Sequence, residues 1–226
     1  MGRLSLRRVT SPRLEFETAG RWKGSDRAVL LAHGAGADRN APVLVAVAET
    51  LADVGVPSLR FDYPYRTKGR KAPDRAAVLD DATRAAAAEL ARRARLPPER
   101  LVLGGRSMGG RYCSLVVGDE HDPVPALGLL LLGYPLHAAG KRDRPRAEHF
   151  PRLGVPCLFV SGTRDAMAGS DDLARAAKRI PAAVSFHWLD GADHGYRPLR
   201  STGRTAADVV EEVSRVSGEW VTGLEM

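Results

Sequence analysis

The sequence predicts a doubly wound α/β domain, in which a mostly parallel twisted sheet carries helices on both faces. Two observations predict it. Short apolar runs alternate with helix-forming segments along most of the chain, and those runs are continuously apolar rather than alternating apolar with polar, as strands covered on both faces require. The length of 226 residues suits one domain with a substantial core, and no linker-like stretch divides it.

The elements follow in order. Residues 4–9 and 13–17 flank a Ser11-Pro12 break and read as an N-terminal hairpin. Residues 29–33 are an apolar strand ending in Gly34-Ala35-Gly36; residues 42–53 are helical, with Asn40 as the N-cap and Pro42 tolerated in the first turn. Residues 56–61 are the next strand. Residues 75–95 are rich in alanine and lack internal Gly and Pro, which favours a long helix stopped by Pro97-Pro98. Strands are then expected at 101–106, 126–133, 155–162 and 183–189, and helices at 109–117, 171–180 and 205–221. In such sheets ligands bind beyond the carboxyl ends of the strands, so the chemistry belongs in the loops that follow them.

The most informative of those loops is Gly104-Gly105-Arg106-Ser107-Met108-Gly109-Gly110. A serine at a sharp strand-to-helix turn takes a strained backbone conformation, and side chains two residues to either side would collide there. Gly105 and Gly109 remove them, leaving the Ser107 hydroxyl above the sheet edge and the Met108 amide facing the place where an oxyanion forms. A second oxyanion donor is available in the amide of Ala35, in the small-residue loop after the strand at 29–33. Serine needs a base to remove its proton as it attacks an acyl carbon. His194 follows the last strand and supplies that base; Asp165 follows the strand before it and orients the imidazole. Asp190 and Asp193 are alternative orienters, with Asp165 preferred for its strand-end position. Gly36, Tyr63 and Tyr134, also at strand ends, are expected to line the substrate pocket.

Carried together, Leu31-Ala32-His33-Gly34-Ala35-Gly36, the elbow at 104–111, Gly133-Tyr134-Pro135-Leu136-His137, Glu148-His149, Ser161-Gly162-Thr163-Arg164-Asp165 and Asp193-His194 give the chain its resemblance. It resembles the α/β-hydrolases, and within them the small dienelactone-hydrolase-like proteins that include testis-expressed protein thirty, its bacterial relatives and subunit three of the non-specific lethal chromatin complex. The resemblance implies the α/β-hydrolase fold and the order Ser107, Asp165, His194 for nucleophile, acid and base. It implies no particular substrate, and some relatives use the domain for association. The chain departs from the family pattern at Ala166-Met167-Ala168, where a Pro-Phe pair is usual, and at Gly195-Tyr196.

Composition narrows the function classes. The net charge of +7 raises nucleic acid as a partner, but the basic residues are interspersed with Asp and Glu, which argues against it. No apolar run approaches the roughly 20 residues that cross a bilayer, and the N-terminus lacks the apolar core and cleavage site of a signal peptide, so cytoplasmic residence is the expectation. The two cysteines, Cys113 and Cys157, read as buried free thiols, and no His or Cys spacing suits a metal, so neither cofactor nor metal is expected. The excursion between 133 and 155 carries Pro135, Pro145 and Pro151 and leaves no room for a large lid, so the site should be open to small esters or thioesters. Arg66, Lys68, Arg70 and Lys71 after one strand, and Lys141, Arg142, Arg144 and Arg146 after another, form a basic rim that suits anionic substrates. The competing reading is a non-catalytic module that binds a protein or nucleic-acid partner.

Overall fold

A computed structural model of the protein describes residues 14–138 and 140–225. Its strands are β1 (Glu15–Ala19), β2 (Ala28–Ala32), β3 (Ser58–Asp62), β4 (Leu101–Arg106), β5 (Gly128–Leu132), β6 (Cys157–Gly162) and β7 (Val184–Leu189). Its helices are α1 (Pro42–Asp53), α2 (Pro64–Thr67), α3 (Ala76–Ala94), α4 (Met108–Val117), α5 (Ser170–Ala177) and α6 (Ala206–Gly223). The Ala-Val-Leu-Leu-Ala of β2 and Gly-Leu-Leu-Leu-Leu of β5 are buried at every position, the pattern of central strands covered on both faces. Among the described residues the strands form one sheet in the order β1-β3-β2-β4-β5-β6-β7. Every pairing is parallel except that of β1 with β3. This is the α/β-hydrolase fold, with no large lid among the described residues.

The two-residue period of the strands divides the apolar side chains between two layers. Leu30, Leu103 and Leu129 face α3 and α4, whereas Val29, Leu31 and Val102 face α1 and α6. Helix α1 packs closely on α6: a Cβ on Gly218 would lie 2.9 Å from Thr50 Cγ2. Helix α6 starts with a capping box, Thr205 accepting from the Asp208 amide while the Asp208 carboxylate accepts from that of Thr205. Its other end is held by the buried Arg27, whose Nη1 donates to the carbonyls of Val221, Thr222 and Leu224 at 2.8, 3.3 and 3.0 Å. Those carbonyls lack intrahelical donors, so a buried guanidinium satisfies what the helix cannot. Arg27→Ala is expected to lower stability by about 2 kcal/mol, read as an earlier urea midpoint; an unchanged midpoint would show that water serves the carbonyls equally well.

One expectation changes, and another lies partly outside the described residues. The first arm of the hairpin, 4–9, lies outside the described residues; the second is β1, which pairs antiparallel with β3, Glu15 opposite Asp62 and Ala19 opposite Ser58. Arg39 ties this edge together, binding Glu15 at 2.9 Å and also the carboxylate of Asp62. Asn40 does not cap α1. The N-cap is Ala41, one residue later, with no side-chain hydrogen bond, and Pro42 has already removed one of the donors a cap would serve; the Asn40 backbone N–H donates to the Asp38 carboxylate at 2.9 Å. No helix among the described residues is long and apolar enough to cross a membrane.

Candidate active site

The turn from β4 into α4 gives Ser107 φ 49° and ψ −114°, a conformation that side-chain sterics normally exclude. It persists because its surroundings over-determine it. The Ser107 amide donates to the Leu132 carbonyl at 2.8 Å, and the backbone on both sides is pressed against the end of β2. A Cβ on Gly105 would lie 2.1 Å from the Ala32 oxygen, and one on Gly109 would lie 2.3 Å from the same atom. Glycine at these two positions is therefore a condition of the close approach, as the sequence pattern implies.

That approach also brings the loop after β2 beside Ser107, where a Cβ on Gly34 would lie 3.6 Å from the serine Cβ. His33, fully buried, shapes this loop. Its Nε2 accepts from the Tyr63 amide at 3.2 Å, which puts the proton on Nδ1, and Nδ1 donates to the Gly34 carbonyl at 2.8 Å. The amides of Ala35 and Met108 donate to no acceptor among the described residues. Gly36 is exposed at φ 76° and its amide donates to the Tyr65 hydroxyl at 3.3 Å.

Three side chains from three loops meet at this edge. Ser107 Oγ lies 3.0 Å from His194 Nε2, and His194 Nδ1 lies 2.7 Å from Asp165 Oδ2. The carboxylate accepts a hydrogen bond from Nδ1–H, which leaves Nε2 as the acceptor for the serine hydroxyl. Asp165 is wholly buried at its side chain and its second oxygen accepts from the Met167 amide at 2.8 Å, so its direction is set from both sides. Asp193 is committed elsewhere, accepting the Gly195 and Arg197 amides at 2.7 and 2.9 Å, and Asp190 is exposed at the end of β7. The loops themselves are stitched together: the Thr163 hydroxyl accepts from the Gly191 amide at 2.9 Å, and the Arg164 amide donates to Ala192 at 3.0 Å.

Two expected pocket residues lie in the core. Tyr63 and Tyr134 are fully buried; the Tyr63 hydroxyl meets Thr83 Oγ1 at 3.0 Å and that of Tyr134 donates to the Arg146 carbonyl at 2.5 Å. Both follow strand ends, but their rings turn under the edge into the layer between the sheet and its helices, and burial raises both phenols well above their ordinary range. Two supporting residues went unnoticed in the sequence. Tyr196, two residues after His194 and at φ 64°, is buried with its hydroxyl donating to the Val160 carbonyl at 2.9 Å, and the Arg106 guanidinium lies 4.3 Å from its ring centre. Their signal was available: Arg106 is inside the elbow and Tyr196 is one of the departures from the family pattern.

The basic rim is partly neutralised. Arg66 pairs with Asp38 at 3.2 Å, Arg70 with Asp74 at 2.5 Å and Arg144 with Asp143 at 3.7 Å. Lys68, Lys71, Lys141 and Arg142 have no ion pair among the described residues. Among its described residues the excursion after β5 contains only the short 3-10 turn Phe150–Arg152, and no helix among them covers the site. No group of three or more His, Cys, Asp or Glu side chains suited to a metal occurs among the described residues. Cys113 and Cys157 are free, and burial pushes both thiols up to about 12.

The buried histidines make stability depend on pH. Burial lowers His33 below 6.5, and it takes His149, whose Nε2 meets Ser114 Oγ at 2.8 Å, down to about 3, helped by the charges of Arg111 and Arg152. Both groups bind protons more weakly folded than unfolded, so their stabilisation is complete above about 6.5 and lost as pH falls below it. Between pH 6.5 and 5, unfolding free energy is expected to fall by up to about 1.4 kcal/mol per pH unit on account of His149, with His33 acting in the same direction. Denaturation of wild type and His149→Gln across that window checks it; equal slopes would remove His149 from the account.

Comparison with known proteins agrees with this architecture. The family model described as alpha/beta hydrolase domain matches residues 25–222, and the chain belongs to that family. Among solved structures, the chain is similar to dienelactone hydrolase from Anabaena variabilis, with TM-score 0.69 and 18% identity over 94% of this chain and 93% of that one. Est1E from Butyrivibrio proteoclasticus, solved with bound ferulic acid, gives TM-score 0.71 and 17% identity over 93% and 95%. A monoacylglycerol lipase from Paleococcus ferrophilus gives 0.68 and 16% over 94% and 99%. At these identities the likeness shows the fold, and the neighbours are hydrolases.

Proposed function

We propose that the protein is a serine hydrolase that cleaves small carboxylic esters or thioesters through an acyl-enzyme on Ser107. The observation that carries the reading is the relay of 3.0 Å from Ser107 Oγ to His194 Nε2 and 2.7 Å from His194 Nδ1 to Asp165, built on a serine held in a strained turn. The parallel sheet brings the three loops to one edge, and the hydrogen-bonded contact of a serine, an imidazole and a buried carboxylate at that edge is what acyl-transfer chemistry needs.

The chemistry follows from the geometry. Ser107 Oγ attacks the acyl carbon as its proton passes to His194 Nε2, and the Asp165 carboxylate stabilises the imidazolium without taking the proton. The negative charge that develops on the acyl oxygen is met by the Met108 amide, at the positive end of α4, and by the Ala35 amide. When the carbon–oxygen or carbon–sulfur bond breaks, the imidazolium returns its proton to the leaving alcohol or thiol. Water then attacks the acyl-enzyme with His194 again as base, and the acid leaves with Ser107 regenerated. No cofactor is required in this sequence. The motifs Gly133-Tyr134-Pro135 and Gly162-Thr163-Arg164-Asp165 favour a place among the small hydrolases that resemble testis-expressed protein thirty.

A fluorophosphonate probe tests the reading directly. Wild type is expected to be labelled at Ser107, Ser107→Ala to be unlabelled and His194→Ala to label weakly. A folded wild type that resists the probe would favour the non-catalytic module instead.

A further inference from the structure

Beside the Asp165 loop lies a groove that the chemistry above does not use. Its volume is about 350 Å³, and it runs between the segment after β5 and the helix α5. Leu136, Pro145, Ala147 and Ala176 give it an apolar surface. Arg142 comes to it from one side and Arg175 and Arg179 from the other, against a single carboxylate, Asp172, which pairs with Arg175 at 3.2 Å. Arg142 and Arg179 have no ion pair among the described residues. Two exposed guanidiniums that face one apolar groove without partners repel each other, and each gains from an anion between them.

A buried polar atom belongs to the same groove. His137 lines it at 2% exposure, with Nδ1 donating to the Ala138 carbonyl at 3.1 Å and Nε2 buried without a partner. The His137 amide donates to the Met167 carbonyl at 3.1 Å, and the Met167 amide donates to Asp165. The groove wall is thus joined through one residue to the carboxylate that orients His194.

We propose that this groove binds an oxyanion, carboxylate or phosphate, on a short aliphatic stem, and that it holds the anionic end of the ester substrate. The second half rests on the hydrolase reading; the binding of the anion does not. The stem covers the apolar surface, and the anion takes the forked donors of Arg142 and Arg179. This narrows the broad basic rim read from the sequence. Arg66, Arg70 and Arg144 are held by carboxylates of their own, and Arg179 joins the anion site from the turn after α5, far along the chain.

The test titrates glutarate and inorganic phosphate into wild type and Ser107→Ala by calorimetry, then into Arg142→Ala/Arg179→Ala, with Arg144→Ala as the control outside the groove. Saturable binding of at least one anion is expected, weakened about ten-fold or more by the double substitution and unchanged by Arg144→Ala. Which anion binds tells carboxylate from phosphate. Absence of saturable binding, or equal effects of the double and control substitutions, overturns the site. In parallel, 4-nitrophenyl butyrate is compared with the 4-nitrophenyl monoester of glutaric acid. The double variant is expected to lose about ten-fold in kcat/KM on the charged ester and less than about two-fold on the neutral one, chiefly through KM. Equal losses on both esters overturn the substrate role. Anion binding that persists in a wild type inert to every ester upholds the anion site and rejects the hydrolase reading.

Discussion

Ser107→Ala and His194→Ala are each expected to lower the turnover of an ester by about a million-fold, and the double variant by little more. The reason is that the two side chains act as one unit. The hydroxyl without its base is a poor nucleophile, and the imidazole 3.0 Å away has no proton to take when the hydroxyl is gone. Asp165→Asn is expected to cost about ten-thousand-fold. Its amide would present a donor where His194 Nδ1–H needs an acceptor, so the ring would turn its proton toward Ser107 and lose the capacity to act as base. The measurement is kcat on a substrate that wild type turns over, with thermal denaturation to show that each variant is folded. A folded Ser107→Ala that retains activity within a few-fold of wild type rejects Ser107 as nucleophile.

Gly105→Ala and Gly109→Ala are expected to destabilise the protein by about 3 kcal/mol or more, near the upper end for adding a single methyl. The new Cβ atoms would lie 2.1 and 2.3 Å from the Ala32 carbonyl oxygen. Neither obstacle is the end of a flexible side chain. Ala32 is backbone in the last position of a central strand, hydrogen-bonded to β3 on one side and β4 on the other, so relief requires the sheet itself to part. Gly105 carries the added penalty of φ 150°. Gly154→Ala, which meets nothing within 4 Å, is the comparison and should stay within about 0.5 kcal/mol. Urea midpoints that do not separate Gly105→Ala from Gly154→Ala would show that the elbow is looser than its geometry. The two predictions are independent: Ser107→Ala removes chemistry and keeps the fold, whereas Gly109→Ala attacks the packing that holds the turn.

Much of this was legible in the order of residues. Continuous apolar runs such as Leu129-Leu130-Leu131-Leu132 report burial on both faces because a strand alternates its side chains between them. The elbow glycines were legible because the clash they avoid is local to a tight turn. Less was legible wherever a side chain's direction depends on packing from remote segments. Tyr63 and Tyr134 sit at strand ends as expected, but one or two backbone torsions beyond the strand decide between the open edge and the core, and Thr83 and the Arg146 carbonyl draw the hydroxyls inward. Asn40 had the composition of a cap, yet the helix starts one residue later, with Ala41 at the cap position and Pro42 in its first turn.

By itself the sequence determined the class of sheet, the strained position of Ser107 and the placing of Asp165 and His194 after later strands. These follow from periodicity and from the rule that parallel strands end on a common edge. Only the tertiary structure decided which carboxylate meets the imidazole. Asp193 is the histidine's neighbour in the chain but folds back onto the amides of its own turn, whereas Asp165, in another loop, arrives at 2.7 Å because β6 and β7 are paired and their following loops are tied together. Adjacency along the chain fixes where a backbone goes; adjacency of strands fixes which side chains meet.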